Sequence, residues 1–172
     1  IRDMALASLC VIQVLRGLDN THLYRIKYPN DVQVLDGEAW KKLSGVLVEH
    51  EFLGAVCTSS VVGIGINVRQ LVFPETITQP CTSLLLLGVD VSVEALREKL
   101  IIALHETQKL STSQVTAEWF RELDLIDRTV RVVGEDGFWT VTDIDDSGRI
   151  RVQHNDLKTN RYIDDGDSLR YN

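Results

Sequence analysis

Residues 61–68 read Val-Val-Gly-Ile-Gly-Ile-Asn-Val, and this strict period of two predicts a strand across 56–68. On one side of such a strand stand Val62, Ile64, Ile66 and Val68, which are expected to face a core. On the other stand Val61, Gly63, Gly65 and Asn67. The two glycines strip side chains from that second face and leave a slot ending at Asn67. Glycine inside a strand marks the close approach of a ligand or of another backbone. A bulge or tight helix–sheet packing is the competing explanation. The spacing is not that of a dinucleotide-binding fingerprint.

Two further blocks precede this strand. Lys27-Tyr28-Pro29-Asn30-Asp31 reads as a tight turn, in which Asn and Asp are common for local hydrogen-bonding reasons. Lys42-Leu43-Ser44-Gly45-Val46-Leu47-Val48-Glu49 reads as a strand led by a lysine. A lysine there reaches along a sheet to a phosphate or carboxylate as a mobile point charge, or else is simply solvated. Taken together, the lysines, Asp31, the asparagines and the glycines of the three blocks suit an anionic, nucleotide-like ligand. The four histidines are scattered without metal-ligand spacing, and no serine sits in a nucleophile elbow.

The chain has 172 residues, enough for one ordinary domain or one domain with a small appendage. With 44% hydrophobic and 25% charged residues it is expected to be globular. A net charge of -7 argues against nucleic-acid binding by this chain. No apolar run approaches the roughly 18–20 residues of a membrane span. Cys10, Cys57 and Cys81 are widely spaced among apolar or small residues. They are expected to be buried free thiols, in keeping with the cytoplasm. Residues 4–16 are almost wholly apolar and predict a helix buried on most sides. Because nothing precedes that helix and the chain begins at Ile1, an N-terminal portion of the fold is expected to be missing.

Short strands are expected at 23–27 and 31–35, longer ones at 42–52 and 56–68, and a Pro-containing loop at 72–82. Ser92 offers an N-cap to a helix marked by Val93, Leu96, Leu100 and Leu104, and a second helix is expected at 113–123. From Asp127 onward, four short strands separated by Gly- and Asp-rich turns suggest a small barrel. The fold class is therefore α+β, with a mixed sheet and packed helices over 1–123 and a small SH3-like β-barrel over 124–172. Acidic residues outnumber basic ones in that second segment, which does not suit nucleic acid.

The three blocks, in this order, resemble the catalytic domain of biotin protein ligases. That family shows Lys-Trp-Pro-Asn-Asp, Lys-Leu-x-Gly-Ile/Val-Leu-x-Glu and Gly-x-Gly-Ile-Asn blocks, and here Tyr28 stands in place of the tryptophan. Thr82-Ser83-Leu84 and the C-terminal barrel are similar to the family as well. The resemblance implies formation of biotinyl-adenylate from biotin and ATP with Mg2+, then transfer of biotin to a lysine of a biotin carboxyl carrier domain of a carboxylase. It implies a catalytic role for Lys42, at the biotin carboxylate and the α-phosphate. It implies a biotin slot lined by Gly45, Leu47, Gly63 and Gly65 together with Lys42. Lys27, Asn30, Asp31 and Asn67 would lie near the nucleotide phosphates or the associated magnesium, with no certain metal ligand. A homodimer is left open. The family's Gly-Arg-rich loop is not found in this sequence, so the 172 residues alone are expected to be inactive. The rivals are a lipoate or related acyl ligase, which shares the fold, and a non-catalytic binding module acting through the barrel.

Overall fold

A computed structural model describes residues 1–145 and 147–171. The chain folds as two compact units, one of Arg2–Glu122 and a second of Leu123–Asn172 together with Ile1. The first unit opens with α1 (Arg2–Leu18), continues through β1 (Tyr24–Lys27), β2 (Asp31–Asp36), β3 (Ala39–Leu53) and β4 (Val56–Ile66), and ends in α2 (Val93–Thr107) and α3 (Thr112–Leu123).

Helix α1 forms because its run of Ala, Leu, Val and Ile has nothing to interrupt it before Gly17. Asp3 in the first turn and Arg16 in the last complement the helix dipole. The helix packs across all four strands and against α2. Ten of its residues, from Ala5 to Leu15, are buried, which is the all-round burial its composition anticipates. Ser92 caps α2 by accepting a hydrogen bond from the Ala95 amide at 3.1 Å.

The sheet runs β1-β2-β3-β4, and every pair is antiparallel. Its mixed character rests on one parallel bridge between Lys42 and Cys81. There the Lys42 amide donates to Pro80 O at 2.8 Å and the Thr82 amide to Lys42 O at 3.0 Å, laying the 80–82 segment along β3. Alternate residues Tyr24, Ile26, Val32, Val34, Leu43 and Val46 are buried and form the core face of the sheet.

The β2–β3 register slips between Val32 and Gln33: Val32 faces Ser44 while Gln33 faces Lys42, so Leu43 is an extra residue in β3. Such a bulge changes the side-chain parity of a strand. Lys42 and Gly45 are three residues apart and would point to opposite faces of a regular strand. Here they share one.

Two expectations fail in this unit. Val62 is 38% exposed, and β4 has no buried residue, although an apolar face was expected to be core. The outer halves of β3 and β4 form a long two-stranded ribbon that no other element of the unit covers, so alternation there does not lead to burial. Cys57 lies on this ribbon and is exposed, Cys81 is intermediate, and only Cys10 is a buried thiol.

The second unit is a five-stranded sheet ordered β8-β7-β6-β5-β9. The strands are β5 (Thr129–Val132), β6 (Trp139–Ile144), β7 (Ile150–His154), β8 (Asn160–Ile163) and β9 (Leu169–Arg170). Its core is Val130, Val132, Trp139, Val141, Ile144, Ile150, Val152, Ile163 and Leu169. All pairings are antiparallel, and none among the described residues joins β8 to β9, so the sheet is an open one in its hydrogen bonding. The sequence signals did not mark β9 or the 3-10 turn at Gly166–Ser168 that leads into it.

Candidate functional site

The face of the first sheet opposite α1 carries the residues the sequence singled out. A row runs across three strands in register, from Asp31 on β2 to Gly45 on β3 to Gly65 on β4, with Leu47 opposite Gly63 in the next row. The three glycines floor a depression of about 450 Å3, within the usual range of ligand sites. Asn30, Asp31, Lys42 and Leu47 line it, along with Val46 and Ile64. A side chain at Gly63 would meet only Leu47 Cβ and O at 3.9 Å, and one at Gly65 only Gly45 O at 3.9 Å. The space above these two glycines is open, and their lack of side chains is what keeps it open.

Gly45 differs. A Cβ there would lie 3.3 Å from Asp31 Oδ1, Lys42 Cε and Lys42 Nζ, closer than a side-chain carbon normally approaches. The Lys42 ammonium and the Asp31 carboxylate are paired at 2.5 Å directly over this residue. The bulge at Leu43 therefore brings the lysine onto the slot face, and the absent side chain at Gly45 gives the pair its room.

The turn Tyr28–Pro29–Asn30, which has a cis bond before Pro29, is clasped to β3 from both sides. Asn30 Nδ2 donates to Val46 O at 2.6 Å, and the Val46 amide donates to Asn30 O at 3.1 Å. Tyr28 is buried, with its ring 6.2 Å from that of Trp119, so it is a packing residue. Asn30 thus contributes structure as well as a place at the rim.

Two of the residues named from sequence lie elsewhere. Lys27 ends β1 opposite Asp31 and does not line the depression. Asn67 lies just beyond β4. Its side chain donates to Thr82 O at 3.0 Å, its amide to Leu43 O at 2.9 Å, and its carbonyl accepts from Leu84 N at 3.0 Å. Those bonds tie the 82–84 segment to the sheet beneath the site. Ser83 fixes the same segment by donating to Gln70 O at 2.6 Å.

Reading by residue type missed Val46, Ile64 and Cys81. The first two line the depression although their faces alternate with those of the glycines. Cys81 reaches Lys42 only through the parallel bridge, which no local pattern announces. Burial pushes the Cys81 thiol up; the Lys42 ammonium pulls it down and the Asp31 carboxylate pushes it up again, so the thiol sits in the field of the pair. Among the described residues no group of three His, Cys, Asp or Glu is placed to hold a metal ion. No helix of the described residues is long and apolar enough to cross a membrane.

No family model matches the chain. The chain is 30% identical over 131 residues to the bifunctional ligase/repressor BirA of Salmonella typhimurium, an alignment that takes in 73% of this chain and 39% of that protein. The chain therefore spans about two fifths of the curated relative it matches. Among solved structures it is similar to a biotin protein ligase from Aquifex aeolicus, with a TM-score of 0.74 and 25% identity over 99% of this chain and 75% of that one. The Aquifex aeolicus ligase in complex with biotin and ATP gives a TM-score of 0.73 and 24% identity, covering 99% of this chain and 72% of that chain.

Proposed function

Because the chain belongs to the biotin protein ligase family, we propose that its glycine-floored depression holds biotin, and that Lys42 serves the joining of biotin to ATP. The observation that carries this reading is the Lys42 ammonium poised at the rim of a slot whose floor is cleared by Gly45, Gly63 and Gly65. An apolar ring system lies over the glycines beside Leu47, with its carboxylate directed to Lys42. A carboxylate oxygen of biotin attacks the α-phosphorus of ATP, pyrophosphate leaves, and biotinyl-adenylate forms. Lys42 is already positioned to neutralise charge that builds on the α-phosphate oxygens, a preorganised electrostatic contribution. The amine of a carrier-domain lysine then attacks the acyl carbon, and AMP departs.

Asn30, Asp31, Lys27 and Asn67 are placed by this reading on the nucleotide side. Of these, Asn30 and Asp31 line the depression, Lys27 stands in register with Asp31 on β1, and Asn67 ties the 82–84 segment to the sheet. Magnesium needs only one or two carboxylates when phosphates and water complete its shell. Asp31 is the one carboxylate lining the depression and is already paired with Lys42, so an ion would be held by the nucleotide phosphates and water with which it arrives. The acceptor is a biotin carboxyl carrier domain, and the setting is the cytoplasm. Residues 1–172 hold no Gly-Arg-rich loop, and on this reading they do not complete adenylation by themselves.

The test is transfer of biotin, with ATP and magnesium, to a carboxyl carrier domain by the protein with its full natural chain. Lys42→Ala and the 172-residue chain run in parallel, and lipoate is offered in place of biotin. The expected result is transfer of biotin by the full chain, reduced on the order of 100- to 1,000-fold in Lys42→Ala. Transfer of lipoate in place of biotin would move the reading to the lipoate ligases. Equal transfer by Lys42→Ala would remove the site assigned here.

A further inference from the structure

The ion pair over Gly45 has a geometry that a nucleotide or magnesium ligand does not require. Asp31 Oδ1 lies 2.5 Å from Lys42 Nζ, and the carboxylate is the more sheltered partner, with its side chain 14% exposed against 30% for the lysine. Two features fix that carboxylate, and a third brings the lysine to it. Asp31 is in register with Gly45 on β3. The residue before it, Asn30, is held to Val46 by hydrogen bonds in both directions. The extra residue Leu43 turns Lys42 onto the same face as Gly45, where its ammonium meets the Asp31 carboxylate.

We infer that Asp31 is a positioning residue that holds the Lys42 ammonium over Gly45, and that it acts on the reaction through the lysine rather than through nucleotide or magnesium. The reaction it serves is the one proposed above, whereas the pair itself stands on geometry alone. A lysine side chain is a flexible stem with a strongly hydrated head, and many of its rotamers lead into solvent. The Asp31 carboxylate selects the rotamer that places the charge at the rim. An incoming carboxylate or phosphate then shares an ammonium already in place, and the ordering is not left to the encounter. The same geometry suits glycine at position 45: an alanine Cβ would sit 3.3 Å from both charged groups, which would have to give by a few tenths of an ångström.

Two measurements on the protein with its full natural chain decide the matter. The first is the amine-proton NMR signal of the lysine ammonium groups, which persists only where an ion pair shields the ammonium from exchange. A Lys42 signal is expected in the wild type, lost in Asp31→Asn and weakened in Gly45→Ala, with the backbone spectrum of the fold retained. The second is biotin-dependent exchange of pyrophosphate into ATP for Asp31→Asn, Lys42→Ala and the double variant. Asp31→Asn is expected to slow exchange on the order of 100-fold in the wild type. In the Lys42→Ala background it is expected to cost less than about twofold, and the magnesium concentration for half-maximal exchange is expected not to move. A Lys42 signal unchanged by Asp31→Asn, or an Asp31→Asn loss as large without Lys42 as with it, overturns the inference. If the wild type shows no biotin-dependent exchange, the biotin reading fails and the ammonium signal alone decides the role of Asp31.

Discussion

Asp19, in the turn after α1, accepts from the Thr21 amide at 2.8 Å, the Thr21 hydroxyl at 2.5 Å and the Tyr24 hydroxyl at 2.7 Å, while His22 Nδ1 lies 2.6 Å from its second oxygen. Burial alone would raise its carboxyl, but these hydrogen bonds outweigh it and hold the group well below the usual carboxylate range. Tyr24 moves the other way: burial, then the bond to Asp19 and its charge, push the hydroxyl well above its ordinary value. A depressed carboxylate adds stability in full above its unfolded value of about 3.9, and that stability is lost as pH falls below it. Asp19→Asn is therefore expected to cost about 1–3 kcal/mol near neutrality. The gap between the variant and the wild type should narrow as urea midpoints are taken from pH 6 toward pH 3. A gap that stays constant with pH would show that the carboxylate charge is not what the turn uses. This turn had no signal in the sequence, because the three residues around Asp19 are common ones whose convergence depends on where α1 stops. The glycines were legible for the opposite reason. An alternating strand fixes which face each residue takes, so Gly63 and Gly65 could be assigned to a slot from spacing alone.

At the scale of elements, strands and helices were legible wherever periodicity and caps agreed. Ser92 is such a case: its hydroxyl accepts from Ala95 N at 3.1 Å at the start of α2. Ser92→Ala is expected to lower stability by about 1 kcal/mol, read from chemical denaturation, without changing ligand affinity. A loss of affinity from that substitution would place α2 closer to the site than the sheet geometry does. The bulge at Leu43 was not legible. Nothing in Lys42-Leu43-Ser44-Gly45 says that one residue will be left over opposite β2, since a bulge is settled by the register of the partner strand. A regular strand would have left Lys42 and Gly45 on opposite faces, and the site could not have formed. The exposed ribbon of β3 and β4 was misjudged for a related reason: alternation names two faces but does not say which of them another element will cover. Cys57 was misplaced along with it.

At the scale of the molecule, the strands of the second unit follow one another through short Gly- and Asp-containing turns. Closure of those strands into a barrel would need a pairing between the two edge strands, β8 and β9, which none of the described residues makes and which no single segment announces. The three blocks were the most informative part of the chain. They lie far apart in sequence and converge on one sheet face, so their joint meaning depended on a resemblance of order and type. The glycine-floored slot, with Asn30, Asp31 and Lys42 in its lining, suits a small anionic ligand held by one well-placed cation, and Lys42 is the lysine that lines the depression. The most direct test of that account is the heat of biotin binding to the protein with its full natural chain, compared with Gly63→Val. A Cβ at this exposed strand position meets only Leu47 at 3.9 Å and a branched side chain suits a β-strand, so the variant is expected to fold with stability within about 1 kcal/mol of the wild type. The account predicts that the wild type binds biotin and that Gly63→Val, folded but with its slot filled, does not. Equal binding by the two proteins would contradict it.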